Sequence, residues 1–208
     1  MPETYRTLSQ RGVHETEINR SRFLCALAPA ASESEAAEFL RQVRAEHPTA
    51  SHHCFAWVIG ADASVQRAGD DGEPGGTAGV PMLQMLLRRD MRYVVAVVTR
   101  YYGGVKLGAG GLIRAYGGAV GAALDALGTE LRHRYRLATV TVDHDRAGRL
   151  HNDLLATGRV VRDVRYDTAV TLDLALPDAE VDAFRAWLAD TTAGTASLVL
   201  GGETYATA

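Results

Sequence analysis

Apolar residues recur along this chain with two periods, and the switches between them outline most of its elements. Residues 13–28 read as extended, with Asn19-Arg20-Ser21-Arg22 forming a bend. In residues 33–47, Ala36, Phe39, Leu40 and Val43 keep helical spacing behind a capping Ser32, and Pro48 ends the run. Residues 51–60 alternate as a strand does. His52, Cys54, Ala56 and Val58 share one face, with His53, Phe55, Trp57 and Ile59 on the other. A short strand over residues 65–68 leads into an acidic, glycine-rich loop. Thr77 is placed to cap a helix over 78–88, with Pro81 tolerated in its first turn. Residues 92–99 read as a buried strand and 110–127 as a helix. That helix gathers Leu112, Ile113, Tyr116, Val120, Ala123, Leu124 and Leu127 on one stripe, with Arg114, Gly121 and Asp125 opposite.

The pattern then changes. A strand over 137–142, a helix over 146–157, strands over 160–166 and 169–176, a helix from Asp178 to about 189 and a strand over 197–200 follow in turn. This β-α-β-β-α-β order is the ferredoxin-like pattern. The fold class expected is α+β, in two domains, residues 1–134 and 137–208.

Composition sharpens the division. The 208 residues carry a net charge of −3, but residues 1–136 sum to +2 and residues 137–208 to −5. The cations concentrate over residues 88–114, where Arg88, Arg89, Arg92, Arg100, Lys106 and Arg114 face only Asp90. Cys25 and Cys54 are too few for a disulfide framework and suit a reducing compartment. The first residues lack the apolar core of a signal peptide, and no apolar run approaches the ~18 residues of a membrane helix. A soluble, cytoplasmic protein without a membrane partner is expected.

The densest chemistry lies in residues 97–118. A strand ends in Arg100, Tyr101 and Tyr102. Gly103, Gly104, Lys106, Gly108, Gly110 and Gly111 follow, and Arg114 lies near the helix start. Glycines let backbone N–H groups turn toward a ligand. A helix N-terminus adds unpaired N–H groups and partial positive charge, so the segment suits an anion, phosphate above all. Neither GxxxxGK[ST] nor GxGxxG is present, and a tight strand-to-helix connection needs glycine as well. Arg20 and Arg22 would add two guanidiniums to a phosphate-binding surface. Tyr101 and Tyr102 suit either stacking on bases or the core.

The loop Asp70-Asp71-Gly72-Glu73-Pro74-Gly75-Gly76-Thr77 puts three carboxylates before a helix. Helix capping explains them, and a general base or metal ligand is the functional alternative. His52 and Cys54 can share a ligand where His53 cannot, but a single His-x-Cys pair falls short of a zinc site. No metal is expected, nor any catalytic nucleophile with its base.

The segments SRF (residues 21–23), SHHCFAW (51–57) and DDGEPGGTAG (70–79) resemble the YigZ/IMPACT family. So does the ordered run Gly79, Met82-Leu83, Leu86, Met91, Val97-Val98, Arg100-Tyr101-Tyr102-Gly103-Gly104 and Leu107-Gly108. The resemblance covers essentially the whole chain. It departs at Gly75, where serine is common, and Tyr102 is phenylalanine in many relatives. It implies an N-terminal IMPACT domain with the fold of a ribosomal-protein second domain, as in elongation factor G domain IV. It also implies a ferredoxin-like C-terminal domain similar to elongation factor G domain V. Both parallels point to RNA or the ribosome.

Two functions are therefore expected to compete. The first is a non-enzymatic, cofactor-free RNA- or ribosome-binding module that modulates translation. It would act through Arg20, Arg22, Arg100, Tyr101, Lys106, Arg114 and the glycines, with the acidic C-terminal domain available to a protein partner. The second is a small-molecule enzyme acting on a phosphorylated substrate or nucleotide. It would hold phosphate on the glycine loop, with Asp70, Asp71 or Glu73 as base or magnesium ligand, and His52, His53 and Thr77 complete this second candidate site. It gains if the acidic loop and Lys106 meet in one pocket of roughly 300 Å3 or more.

Overall fold

The computed structural model describes residues 1–207. These form two compact units, residues 1–131 and 132–207. The first begins with a short strand that the sequence pattern does not reveal, β1 (Thr4–Thr7), then β2 (Gly12–Ile18) and β3 (Ser21–Pro29). The bend expected between them is a two-residue hairpin turn. Asn19 and Arg20 both have positive φ, 48° and 64°, and Ile18 pairs with Ser21. Two such residues in succession suit a type I′ turn, whose twist matches the flanking strands.

Helix α1 (Glu33–Glu46) starts where expected, with the Ser32 hydroxyl accepting from the Glu35 N–H. Then come β4 (His52–Ile59), β5 (Val65–Gly69), α2 (Gly79–Arg88), β6 (Val94–Tyr101) and α3 (Gly108–Leu127). The sheet order is β2-β3-β6-β4-β5, so β6 lies in its centre. The two faces of β4 separate as the alternation predicts. Cys54, Ala56 and Val58 join the core beneath α2 and α3, and Trp57 and Ile59 join the one beneath α1. With helices on both faces, β6 is buried along nearly its whole length, which explains its unbroken apolar run.

Two details differ from the helical-wheel expectation. Ile113 is exposed, whereas Gly121 is buried against Met85 of α2. Gly117 likewise faces Pro81, so small residues on α3 let the two helices approach closely.

The cap of α2 also differs. Thr77 does not cap it, because its hydroxyl donates to the Pro74 carbonyl at 2.6 Å. Instead the Asp70 carboxylate accepts from the N–H groups of Gly76, Ala78 and Gly79 at 2.8–3.1 Å. Partial burial pushes the Asp70 pKa up, but these three donors together outweigh it and hold it below its ordinary value. A depressed folded-state pKa gives stability that is present above the unfolded value, about 3.9, and is lost as pH falls through the folded one. Asp70→Asn is therefore expected to cost about 1–2 kcal/mol at neutral pH. Urea melts should also show the variant losing less stability than the parent as pH falls below about 4.

In the second unit, β7 (Glu130–Val142) leads to α4 (His144–Ala156), then β8 (Val160–Tyr166) and β9 (Val170–Pro177). A short 3-10 turn (Asp178–Glu180), α5 (Val181–Thr192) and β10 (Ser197–Ala206) complete it. The expected β-α-β-β-α-β order is present, in an antiparallel arrangement β10-β7-β9-β8. Alternate residues Val170, Leu172, Leu174 and Leu176 face a core that includes Leu150 and Leu154 of α4 and Phe184 and Leu188 of α5. Asp178 pairs with Arg134 and Arg136 rather than capping α5.

Candidate functional site

The centre of the first unit's sheet ends in a buried charge. Arg100, the penultimate residue of β6, is 5% exposed. Its NH1 donates to Glu73 Oε1 at 2.6 Å and its NH2 to the Ser21 hydroxyl at 3.3 Å, while its Nε has no hydrogen-bond partner. The guanidinium lies 5.3 Å from the ring centres of both Phe23 and Tyr102. Glu73 reaches this position because Asp70 and Asp71, just ahead of it, tie the loop to the start of α2 and to β4. Asp71 pairs with Arg44 at 2.7 Å and accepts from the His53 backbone N–H at 2.6 Å. The three loop carboxylates thus divide: two hold the loop in place, and the third enters the protein.

Glu73 is itself 8% exposed, and its Oε1 also accepts from the Tyr116 hydroxyl at 2.7 Å. The helical spacing places Tyr116 on the core stripe of α3 and gives no sign of this hydroxyl contact. Its hydroxyl pKa is raised, first by burial. Cys54, whose thiol donates to the Asp70 carbonyl, is pushed up to about 12, again mainly by burial. Cys25 is raised still further by complete burial. Neither thiol is a ready nucleophile at neutral pH.

Around this buried cluster opens a cleft of about 470 Å3, within the size range of small-molecule sites. Ser51, His52, Glu73, Pro74, Arg100 and Tyr102 line one part of it, and Lys106, Leu107, Gly108, Ala109 and Leu112 the other. The acidic loop and the glycine loop therefore meet. The start of α3 has no side-chain cap and no acidic residue in its first turn, so the N–H groups of residues 108–110 are unpaired by the helix itself. Gly108 enters the helix with φ of 69°, a conformation that favours glycine. Lys106 makes no ion pair or hydrogen bond among the described residues, and Tyr102 is 47% exposed at the cleft. His52 has Nδ1 2.9 Å from the Asp71 carbonyl, so that nitrogen carries the proton and donates. Its Nε2 lies 3.9 Å from Glu73 Oε1.

The remaining candidates sit elsewhere. Tyr101 points away from Arg100 along the strand. Its hydroxyl meets His47 Nδ1 at 2.9 Å, and the Arg22 guanidinium covers its ring. Arg22 is paired with Glu15 by two hydrogen bonds, so its charge is locally balanced. His53 is buried and directed toward the His47 carbonyl, and burial lowers its pKa. Arg20 stays exposed on the β2–β3 turn, against which Gly103 packs. The Arg114 guanidinium lies beside Gly110 on the first turns of α3. Gly104 and Gly111 shape the loop and the first turn. Among the described residues, no group of three or more His, Cys, Asp or Glu side chains could hold a metal ion.

Sequence comparison matches residues 19–124 to the Impact N-terminal domain and residues 140–195 to a domain of unknown function, DUF1949. The chain is 40% identical over 205 residues to the IMPACT family member YvyE of Bacillus subtilis, spanning 99% of this chain and 94% of that one. This chain belongs to the IMPACT family. It is also 42% identical over 185 residues to the family member YigZ of Escherichia coli, spanning 88% and 91% of the two chains. A solved structure described as that of a hypothetical protein superposes with a TM-score of 0.62 at 38% identity, covering 96% of this chain and 98% of that one. No helix among the described residues of this IMPACT protein is long and apolar enough to cross a membrane.

Proposed function

We propose that this IMPACT protein is a non-enzymatic RNA-binding module that acts on ribosomal or other RNA in the cytoplasm and modulates translation. Its cleft would take one nucleotide of the strand, with a phosphate on the N-terminus of α3 and the base against Tyr102. The observation that carries this reading is the uncapped start of α3, opening with Lys106 into a cleft whose own carboxylate, Glu73, is already matched by Arg100. The net positive charge thus falls to the helix end and Lys106. Arg20 and Arg114, exposed on elements beside the glycine loop, supply more cations than one phosphate needs, which suits a polyanion. Tyr102 can stack with any base, as single-strand binders require. The parallel with elongation factor G domains supports the same reading by fold analogy only. The acidic second unit is free to serve a protein partner.

Binding of a short single-stranded RNA across a salt series tests this. Affinity should fall with salt, and Lys106→Ala should weaken binding and shallow the logarithmic salt slope by about 0.7, one phosphate contact on a single strand. An unchanged affinity and slope in the variant would remove Lys106 from the interface.

One observation favours a second function. The acidic and glycine loops share one cleft of about 470 Å3, large enough for a free nucleotide or sugar phosphate. Saturation by such a molecule at low concentration, with RNA unable to displace it, would favour a small-molecule binder or enzyme.

A further inference from the structure

Glu73 has two carboxylate oxygens with different surroundings. Oε1 accepts from Arg100 and Tyr116 and has His52 at 3.9 Å. Oε2 accepts from no described residue, yet Glu73 lines the cleft. The side chain cannot turn away, because Oε1 is held at 2.6 Å and 2.7 Å by two buried donors. Oε2 is therefore a fixed acceptor on a side chain that lines the cleft.

A ligand that displaces water from such an oxygen must supply a donor. Otherwise a charged acceptor is left unpaired, which costs more than a neutral hydrogen bond returns. The phosphodiester of a nucleic-acid strand offers none. The cleft thus asks for two features in one ligand: an anion for Lys106 and the N-terminus of α3, and an O–H or N–H for Glu73. With the face of the base against Tyr102, the donors left to meet the carboxylate are the N–H groups on the base's edge and the sugar hydroxyl, and only the hydroxyl is placed alike for every base. In RNA the sugar's 2′-hydroxyl is a donor close to the phosphate; in DNA that donor is missing.

Resting on the RNA-binding reading of this cleft, we propose that Glu73 is its specificity-determining residue, accepting a hydrogen bond from a ribose 2′-hydroxyl and so selecting RNA over DNA. Arg100 and Tyr116 act through it as positioning residues.

The test uses the full chain and three oligonucleotides of one sequence: all-ribose, all-deoxyribose and all-2′-O-methyl. The methylated strand keeps the ribose oxygen but removes its proton. RNA is expected to bind about tenfold more tightly than either of the others. Glu73→Gln should narrow that gap, because its amide oxygen can satisfy Arg100 and Tyr116 while its NH2 group faces the cleft. A thermal melt of the variant checks that it is folded. Equal, salt-sensitive binding of all three strands by the parent protein would overturn the role of Glu73 and leave the RNA-binding reading standing. A methylated strand that binds as tightly as RNA, with DNA weaker, would likewise overturn it, since sugar shape would then discriminate. Failure of all three to bind would overturn both.

Discussion

Arg100→Ala is expected to lower the stability of the N-terminal unit by about 3–5 kcal/mol, the cost of leaving a buried partner charge uncompensated. Both members of the pair are almost wholly enclosed, with side chains 6% and 4% exposed. Without the guanidinium, Glu73 would keep Tyr116 as its close hydrogen-bond donor, and the gap beside Phe23 and Tyr102 would lose its filling. The thermal midpoint should fall by roughly 10 °C or more. Replacing both partners, as in Arg100→Met with Glu73→Leu, should recover much of the loss, because the pair's own desolvation is removed with it. Thermal and urea melts of the two variants check this. If Arg100→Ala melts within a degree or two of the parent, the ion pair is not the buried, coupled unit described above.

Gly103→Ala is expected to be nearly as damaging, for a steric reason. A methyl group on Gly103 would lie 1.9 Å from the Arg20 carbonyl oxygen and 2.1 Å from its carbon. These are backbone atoms of a two-residue turn whose residues both have positive φ, so they cannot swing aside as a side chain would. Gly103 N–H also donates to the Ser21 hydroxyl, which in turn receives Arg100. A shift at this position therefore reaches both the hairpin and the buried ion pair. A loss of about 3 kcal/mol, the upper part of the usual range for overpacking, is expected. Gly104→Ala provides the contrast: nothing lies within 4 Å of its added methyl, and only its φ of 84° opposes the change. That variant should lose roughly 1 kcal/mol. Equal melts for the two would contradict the close approach of the glycine loop to the β2–β3 turn.

Short-range pattern made much of this architecture legible, and long-range pairing hid the rest. Helix α1 was readable because Ser32 and its apolar spacing lie within one window. The two faces of β4 followed from strict alternation. The start of α3 followed from its glycines, although the helix begins at Gly108 rather than Gly110. By contrast, β1 is four residues long and carries no period of its own. The turn at Asn19-Arg20 lacks the glycine that usually marks its type. Asp70 caps a helix from nine residues upstream, beyond any local capping motif. Glu73 meets partners 27 and 43 residues away, so its selection from three neighbouring carboxylates depends on the tertiary fold. One signal was available. An arginine at the end of a continuous apolar run, in a strand covered on both faces, needs a buried acid, and the DDGE segment supplied the nearest choice. Lys106, Gly108 and Tyr102 were visible as candidates, but their convergence with His52 and Glu73 on one cleft required the fold.

Backbone amide NMR of the chain during titration with a short single-stranded RNA tests the central claim most directly. The N–H resonances of residues 108–110 and of Lys106 are predicted to move first and furthest, together with those around Tyr102, since these groups surround the proposed phosphate and base. Shifts confined to other surfaces, with the start of α3 unmoved at saturation, would contradict the account.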